Sequence, residues 1–352
     1  MAARGLPGLN SPTTGEPFAI MTPQGPRWTG KVELIESQLD VPLRWRKPRR
    51  IFVNSMSDTF HDSVSREDIA TLFGIMAVAG AYEKGENPLF GQKYNQKRGF
   101  YGGMGPHTFL VLTKRGQRMR EVVGSPWFQR EAAYSAYKWA HDRRDAGYLS
   151  DRIWQDSNSA WCAPGRHGRL WPLPNVWLGV SVEDQTTADE RIPHLLATPA
   201  AVRFLSVEPL LGPVDLSCWL KPEHWTGGGL DECGPGAYYH REDCPCNGTG
   251  VMPQNLHWVI VGGESGTGAR PCRLEWIRSI VQQCAAAGVP CFVKQIGSRP
   301  EFASDHWPEG LTSALWSSDL GVYDYPATKK GGDPTEWPDD LRVRQFPEAR
   351  NA

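Results

Sequence analysis

The sequence predicts an α/β fold: a TIM-like partial (β/α) barrel of parallel strands carrying two loop insertions. Three observations lead there. Short runs of almost wholly apolar residues recur along the chain, helical patterns stand between them, and the runs end in polar side chains. Runs apolar on both faces fit strands covered on both sides, as in a parallel sheet. Strand followed by helix, repeated, means right-handed βα crossovers. In such a sheet the carboxyl ends of the strands face the ligand.

The elements follow in order. The first run is "RIFVNS" (50–55). Behind it, "SREDIATLFGIMAVAG" sets Ser65 and Asp68 at capping-box spacing and places Ile69, Leu72, Phe73 and Met76 on one helical face. "TFLVLT" (108–113) and "VWLGVSV" (176–182) are the next strands. "DQTTADERIPHLLAT" is then a helix in which Pro193 is tolerable only near the first turn or as a kink. "VRFLSV" (202–207) and "HWVIVG" (257–262) follow, and "RLEWIRSIVQQCAAAG" is a helix ended by Gly288, with Pro290 opening "PCFVKQ" (290–295). Residues 80–107 and 219–256 break the rhythm and read as insertions in a single domain spanning 1–352, with an irregular appendage over 298–352. The only internal echo is "VSVED" at 180–184 with "LSVEP" at 205–209.

Bulk properties narrow the function. A chain of 352 residues can bury a large core, and a formal charge of −1 exerts no global pull toward nucleic acid or anionic membrane. No apolar run approaches the ~20 residues needed to cross a bilayer, and the opening "MAARGLPGLNSPTTGEP" lacks the apolar segment of a signal peptide. Eight cysteines, scattered from Cys162 to Cys291, fit reduced thiols. A cytoplasmic protein without a membrane partner is the expectation.

The polar strand ends are Asn54, Ser55, Ser57 and Asp58; Thr113, Lys114 and Arg115; Ser181, Glu183 and Asp184; Ser206 and Glu208; Glu264 and Ser265; and Lys294 and Gln295. Alternation along a strand puts Ser181 with Glu183, and Ser206 with Glu208, on common faces. Lys114, Glu208 and Lys294 are the candidates for acid–base work. The plainer reading of each is that loops are polar. "VIVGGESG" (259–266) matches neither the P-loop nor the dinucleotide fingerprint. Its Gly262 and Gly263 permit close approach by a ligand, with Glu264 beside them.

Two further clusters carry chemistry. "RWRKPRR" supplies Arg44, Arg46, Lys47, Arg49 and Arg50 around a tryptophan, which reads either as a phosphate-contacting stretch or as a solvated loop. Cys233, His240, Cys244 and Cys246 are ligand types of a Cys3His zinc site, though Cys-Pro-Cys is tighter than the usual Cys-x-x-Cys.

"PRRIFVNSMSDTFHDSV", "HTFLVLTKRGQRM", "WPLPNVWLGVSVEDQTTADERIPHLLATPAAVRFLSVEPLLGPVDL", "LHWVIVGGESGTGARPCRLEWIRSIVQQCAAAGVPCFVKQIG" and "KKGGDPTEWPDDLRVRQFP" together resemble the phage protein family of unknown function named after gene products 37 and 68, the three-Cys-motif proteins. The resemblance implies a partial barrel similar to radical S-adenosylmethionine enzymes of the spore-photoproduct-lyase type, acting on an unknown substrate such as a nucleic-acid base, and a three-Cys-motif partner protein. In that family three cysteines near the N-terminus hold a [4Fe–4S] cluster. This sequence has no cysteine before Cys162, so the resemblance implies a chain shortened at its start, without the cluster and inactive in radical chemistry, with "RIFVNS" left as a bare edge. It further implies that Ser55, Asp58, Ser181, Glu183, Glu208 and Gly262-Gly263-Glu264 line a bowl for S-adenosylmethionine, whose carboxylate Lys114 or Lys294 would bind. The alternatives are a non-radical barrel enzyme working through its carboxylates and lysines, and a nucleic-acid-binding phage accessory protein.

Overall fold

All six apolar runs become strands of one sheet in the computed structural model, which describes residues 10–23, 25–45, 47–53, 57–79, 86–87, 92–93, 107–141, 171–220, 256–266, 268–301, 316–317, 322–323 and 330–347. The strands are β1 (Arg50–Val53), β2 (Thr108–Thr113), β3 (Val176–Ser181), β4 (Val202–Val207), β5 (Trp258–Gly262) and β6 (Cys291–Gln295). They stand side by side in chain order, and the sheet is parallel, open and strongly curled, as a half-barrel requires. The helices between them are α1 (Arg66–Ala79), α2 (Gly116–Val123), α3 (Pro126–His141), α4 (Gln185–Leu196) and α5 (Leu274–Ala287). Most of the two expected insertions, including all of 221–255, lies outside the described residues.

The chain divides into two compact units, one formed by Met1–Leu112, Glu121–Trp177 and Pro199–Ala201, the other by Thr113–Arg120, Leu178–Thr198 and Val202–Ala352. In the first, Ser65 caps α1 by accepting from the Asp68 N–H at 3.0 Å. Gly74 lets α1 close on α3: a Cβ there would stand 2.7 Å from Ser135 Cβ. Phe73 and Phe128 meet edge-on at 5.1 Å in that seam. Asn175 donates from Nδ2 to the carbonyls of Met76 (2.9 Å) and His107 (3.1 Å), tying α1 to the entry of β2. An antiparallel hairpin, Ala19–Thr22 with Gly25–Trp28, precedes all this. β1 pairs with β2 on one side and leaves Phe52 46% exposed.

In the second unit Asp184 caps α4, accepting from the Thr187 N–H at 2.9 Å while the Thr187 hydroxyl accepts from the Asp184 N–H at 3.0 Å. Pro193 falls inside the helix, beyond its first turn. α5 ends at Gly288 with φ of 68°, the left-handed closure that glycine accepts. Cys284 and Cys291 are core residues. The expected irregular tail has a definite task. Val293 N–H donates to Val343 O and Gln345 N–H to Cys291 O, each at 2.8 Å, so Val343–Gln345 lines the outer edge of β6. Trp337, 2% exposed, anchors this segment. A covered edge has no unpaired amides to recruit another chain.

Candidate site at the strand ends of the second unit

The inner surface of this half of the sheet follows from alternation. A Cβ at Gly116, at the start of α2, would meet Val180, so Val180 points to the helices and Gly179, Ser181 and Glu183 to the other face. Phe204 occupies the space over Gly179, where a Cβ would lie 2.6 Å from its ring. Phe204 and Trp258 (5.9 Å), Trp258 and Phe292 (6.2 Å) make an aromatic floor. Toward the carboxyl ends the same face turns polar with Ser181, Glu183, Ser206, Glu208 and Lys294.

Two lysine–glutamate pairs stand there. Lys114, just past β2, is paired with Glu183, just past β3. Glu183 also accepts from Arg191 on α4 at 2.8 Å, and Arg191 donates to the Ser181 carbonyl at 2.9 Å. Lys294 on β6 reaches Glu208, just past β4, at 3.1 Å, and the Ser206 hydroxyl donates to the same Glu208 oxygen at 3.2 Å.

β4 and β6 are not neighbours, since β5 runs between them. The bridge exists because β5 has glycine at that point. A Cβ on Gly262 would lie 2.6 Å from Glu208 Oε1. That oxygen is buried and, among the described residues, has no hydrogen-bond partner. Gly263 is crowded by the chain itself, a Cβ there standing 2.4 Å from the Ile296 carbonyl oxygen. The paired glycines thus make room for a carboxylate and for the return of the backbone after β6.

Glu264 is engaged by Arg270, which donates from its backbone N–H (2.9 Å), Nε (2.7 Å) and a terminal nitrogen (3.2 Å). Those bonds hold the Glu264 carboxyl below the usual range and raise Arg270, which also feels the charge of Glu183. Arg270 therefore belongs to the same polar end as the Lys114–Glu183 pair. Sequence reasoning missed Arg191 and Arg270. Arg270 closes the glycine-rich turn that Glu264 opens, which is the signal that could have marked it.

Of the other candidates, Asp58 lies in the first unit and accepts from the Phe60 N–H at 2.9 Å, as in an Asx turn. Ser55 and Arg46 lie outside the described residues, as do Cys233, His240, Cys244 and Cys246. Among the described residues no group of three or more His, Cys, Asp or Glu side chains is placed to hold a metal ion. Among them, too, no helix is long and apolar enough to cross a membrane.

The expected membership in the three-Cys-motif phage family is overturned. The family that matches is described as "Protein of unknown function (DUF5131)", over residues 11–83 and 103–319, and nothing in the match supports the radical S-adenosylmethionine assignment. No curated protein and no solved structure matches the chain. With that profile spanning most of its length, the chain belongs to the DUF5131 family.

Proposed function

We propose that the second unit carries the site of a barrel-type enzyme that binds a small anion, a carboxylate or a phosphate, and moves a proton on it. The observation that carries this reading is the contrast in exposure across the two pairs. The side chains of Lys114 and Lys294 are 58% and 57% exposed, those of Glu183 and Glu208 only 10% and 12%. An arriving ligand therefore meets ammonium groups first, with their countercharges beneath. The glutamates fix the lysines in place, which reduces the entropy lost when a ligand orders them.

The same arrangement supplies a base. An anion that draws Lys294 upward leaves the Glu208 carboxylate, among the described residues, with the Ser206 hydroxyl on one oxygen and no partner on the other. The carboxylate is then able to take a proton from the bound ligand. Lys114, held by Glu183 and backed by Arg191, fixes the other end of the anion. S-adenosylmethionine, which carries a carboxylate, falls within the ligand class this site suits.

Thermal melting of the whole protein against graded citrate, malonate and inorganic phosphate, with putrescine as the cationic control, tests the site. The wild type should gain stability with at least one anion, and the Lys114→Ala/Lys294→Ala variant should lose that gain. Equal stabilisation of both proteins by every anion, or none of either, would sink the reading. Once a substrate is in hand, Glu208→Gln should retain binding and lose turnover.

A further inference from the structure

The basic run before β1 is organised in a way that a solvated loop would not require. His107, 0% exposed, binds both ends of the stretch from Trp45 to Arg49. Its Nδ1 accepts from the Arg49 N–H at 3.2 Å, so the ring proton sits on Nε2, which faces the Trp45 carbonyl at 3.3 Å. Burial pushes its pKa down and keeps this ring neutral, as an acceptor must be. Trp45 stands edge-on to the same ring, centroids 6.0 Å apart. The Arg49 guanidinium lies 4.4 Å over the indole centroid.

The outcome is an ordered surface of alternating chemistry. Arg49 is exposed while stacked on a half-buried indole. Lys47 and Arg50 are exposed on either side of it, and Arg44, also exposed, pairs with Asp40. Along β1, Arg50 and Phe52 share the exposed face, with Phe52 46% exposed. Two flat groups, a stacked guanidinium at Arg49 and a phenyl ring at Phe52, thus stand on one short segment with the cation of Arg50 between them in the chain. Arginine planes and aromatic rings take unpaired bases by stacking, and lysine and arginine take phosphates. A duplex hides its base faces, and an acidic peptide has no use for two stacking platforms.

We infer that Trp45, Lys47, Arg49, Arg50 and Phe52 form a docking surface for single-stranded nucleic acid, with Arg49 and Phe52 stacking bases and Lys47 and Arg50 contacting phosphates. This surface lies in the first unit and does not depend on the anion site proposed above.

The test is fluorescence anisotropy of the full chain with a labelled dT12 oligonucleotide across a salt series. Unlabelled duplex of the same length and phosphatidylserine vesicles serve as competitors. The wild type should bind at low salt, and Lys47→Gln/Arg50→Gln should flatten the slope of log Kd against log salt by about 1.4, two phosphates at about 0.7 each. Phe52→Ala, and separately Arg49→Lys, which keeps the charge, should each weaken binding about tenfold or more through lost stacking. Phe52 is surface-exposed, so its variant reports binding even if Arg49→Lys disturbs the loop. Absence of binding at low salt, or affinities unchanged in Phe52→Ala and Lys47→Gln/Arg50→Gln, overturns the proposal. So does equal competition by duplex or by vesicles.

Discussion

Replacing Gly262 or Gly263 by alanine adds the same methyl group one residue apart, yet the two changes should behave differently. At Gly262 the new Cβ would lie 2.6 Å from Glu208 Oε1 and 2.9 Å from the Gln295 carbonyl oxygen, where ordinary contact begins near 3.4 Å, so the carboxylate must retreat by about 0.8 Å and the β6 backbone must give by about 0.5 Å. The carboxylate is on a side chain and can do so, at the expense of its bonds to Lys294 (3.1 Å) and Ser206 (3.2 Å). At Gly263 the obstacle is the Ile296 carbonyl at 2.4 Å and the Gly297 Cα at 2.9 Å, which is backbone. Relief there means separating β5 from β6 where Gly263 N–H donates to Gln295 O at 3.0 Å. Overpacking costs about 1–3 kcal/mol and more when backbone must move, so Gly262→Ala should cost about 1–2 kcal/mol and Gly263→Ala about 3 kcal/mol or more. Urea unfolding followed by circular dichroism measures both. The decisive comparison is a cycle with Glu208→Ala, which removes the carboxylate that the Gly262 methyl would strike. Gly262→Ala should cost less in that background, by about 1 kcal/mol, while Gly263→Ala should cost the same. Strict additivity of Gly262→Ala with Glu208→Ala, or a Gly263→Ala protein within about 0.5 kcal/mol of wild type, refutes the claim that these glycines make room for a carboxylate and a carbonyl.

Gly179→Ala should destabilise by about 1–3 kcal/mol through its clash with the Phe204 ring at 2.6 Å, and Phe204→Leu should recover part of that loss in thermal melts. Arg203 is 3% exposed and donates to the carbonyls of Leu195 (3.2 Å) and Thr198 (2.6 Å) at the end of α4, with burial pushing its pKa down to about 10. Arg203→Met should leave those carbonyls without this donor and cost about 1–3 kcal/mol, read by urea unfolding. The carboxyl of Glu264 is held low by Arg270, so its contribution is complete above the ordinary glutamate value near 4.3 and fades as pH falls through the lower folded-state value. Glu264→Gln should therefore melt below wild type at pH 7 and converge with it as the pH is lowered; a gap independent of pH would show that the ion pair adds nothing.

The six strands were legible because a parallel sheet buries both faces and writes that into consecutive residues: "VWLGVS" and "WVIVG" are buried throughout in β3 and β5. Two helix boundaries were legible too, the start at Ser65 and the end at Gly288, since caps depend on a few local atoms; the cap at Asp184 was read only as a polar strand end. What escaped depends on partners far along the chain. α2, the octapeptide "GQRMREVV", is short and polar and draws its helical state from packing. α3 carried a signal left unused, Ser125 accepting from the Phe128 N–H at 3.2 Å just ahead of Pro126. The pairing of Val343–Gln345 with β6 has no local pattern at all, because an edge is covered by whatever segment returns to it.

The same division runs through the site. Period-2 alternation placed Ser181 with Glu183 and Ser206 with Glu208 without any structure, and the cations Lys114 and Lys294 were visible as strand ends. Which lysine meets which glutamate was not visible, because that follows from strand order: Lys114 and Glu183 stand on neighbours, whereas Glu208 must cross β5 to reach Lys294. The glycine pair is where the two kinds of information meet. In sequence, Gly262 and Gly263 suggested approach by a ligand; in the fold, the approaching groups are Glu208 and the Ile296 carbonyl. A side chain at Gly262 would press the Glu208 carboxylate away from Lys294 and would also meet the Gln295 carbonyl oxygen of β6 at 2.9 Å. The identity of that single residue therefore decides whether the far end of the sheet presents an isolated ammonium or one half of an ion pair able to exchange its partner for an anion.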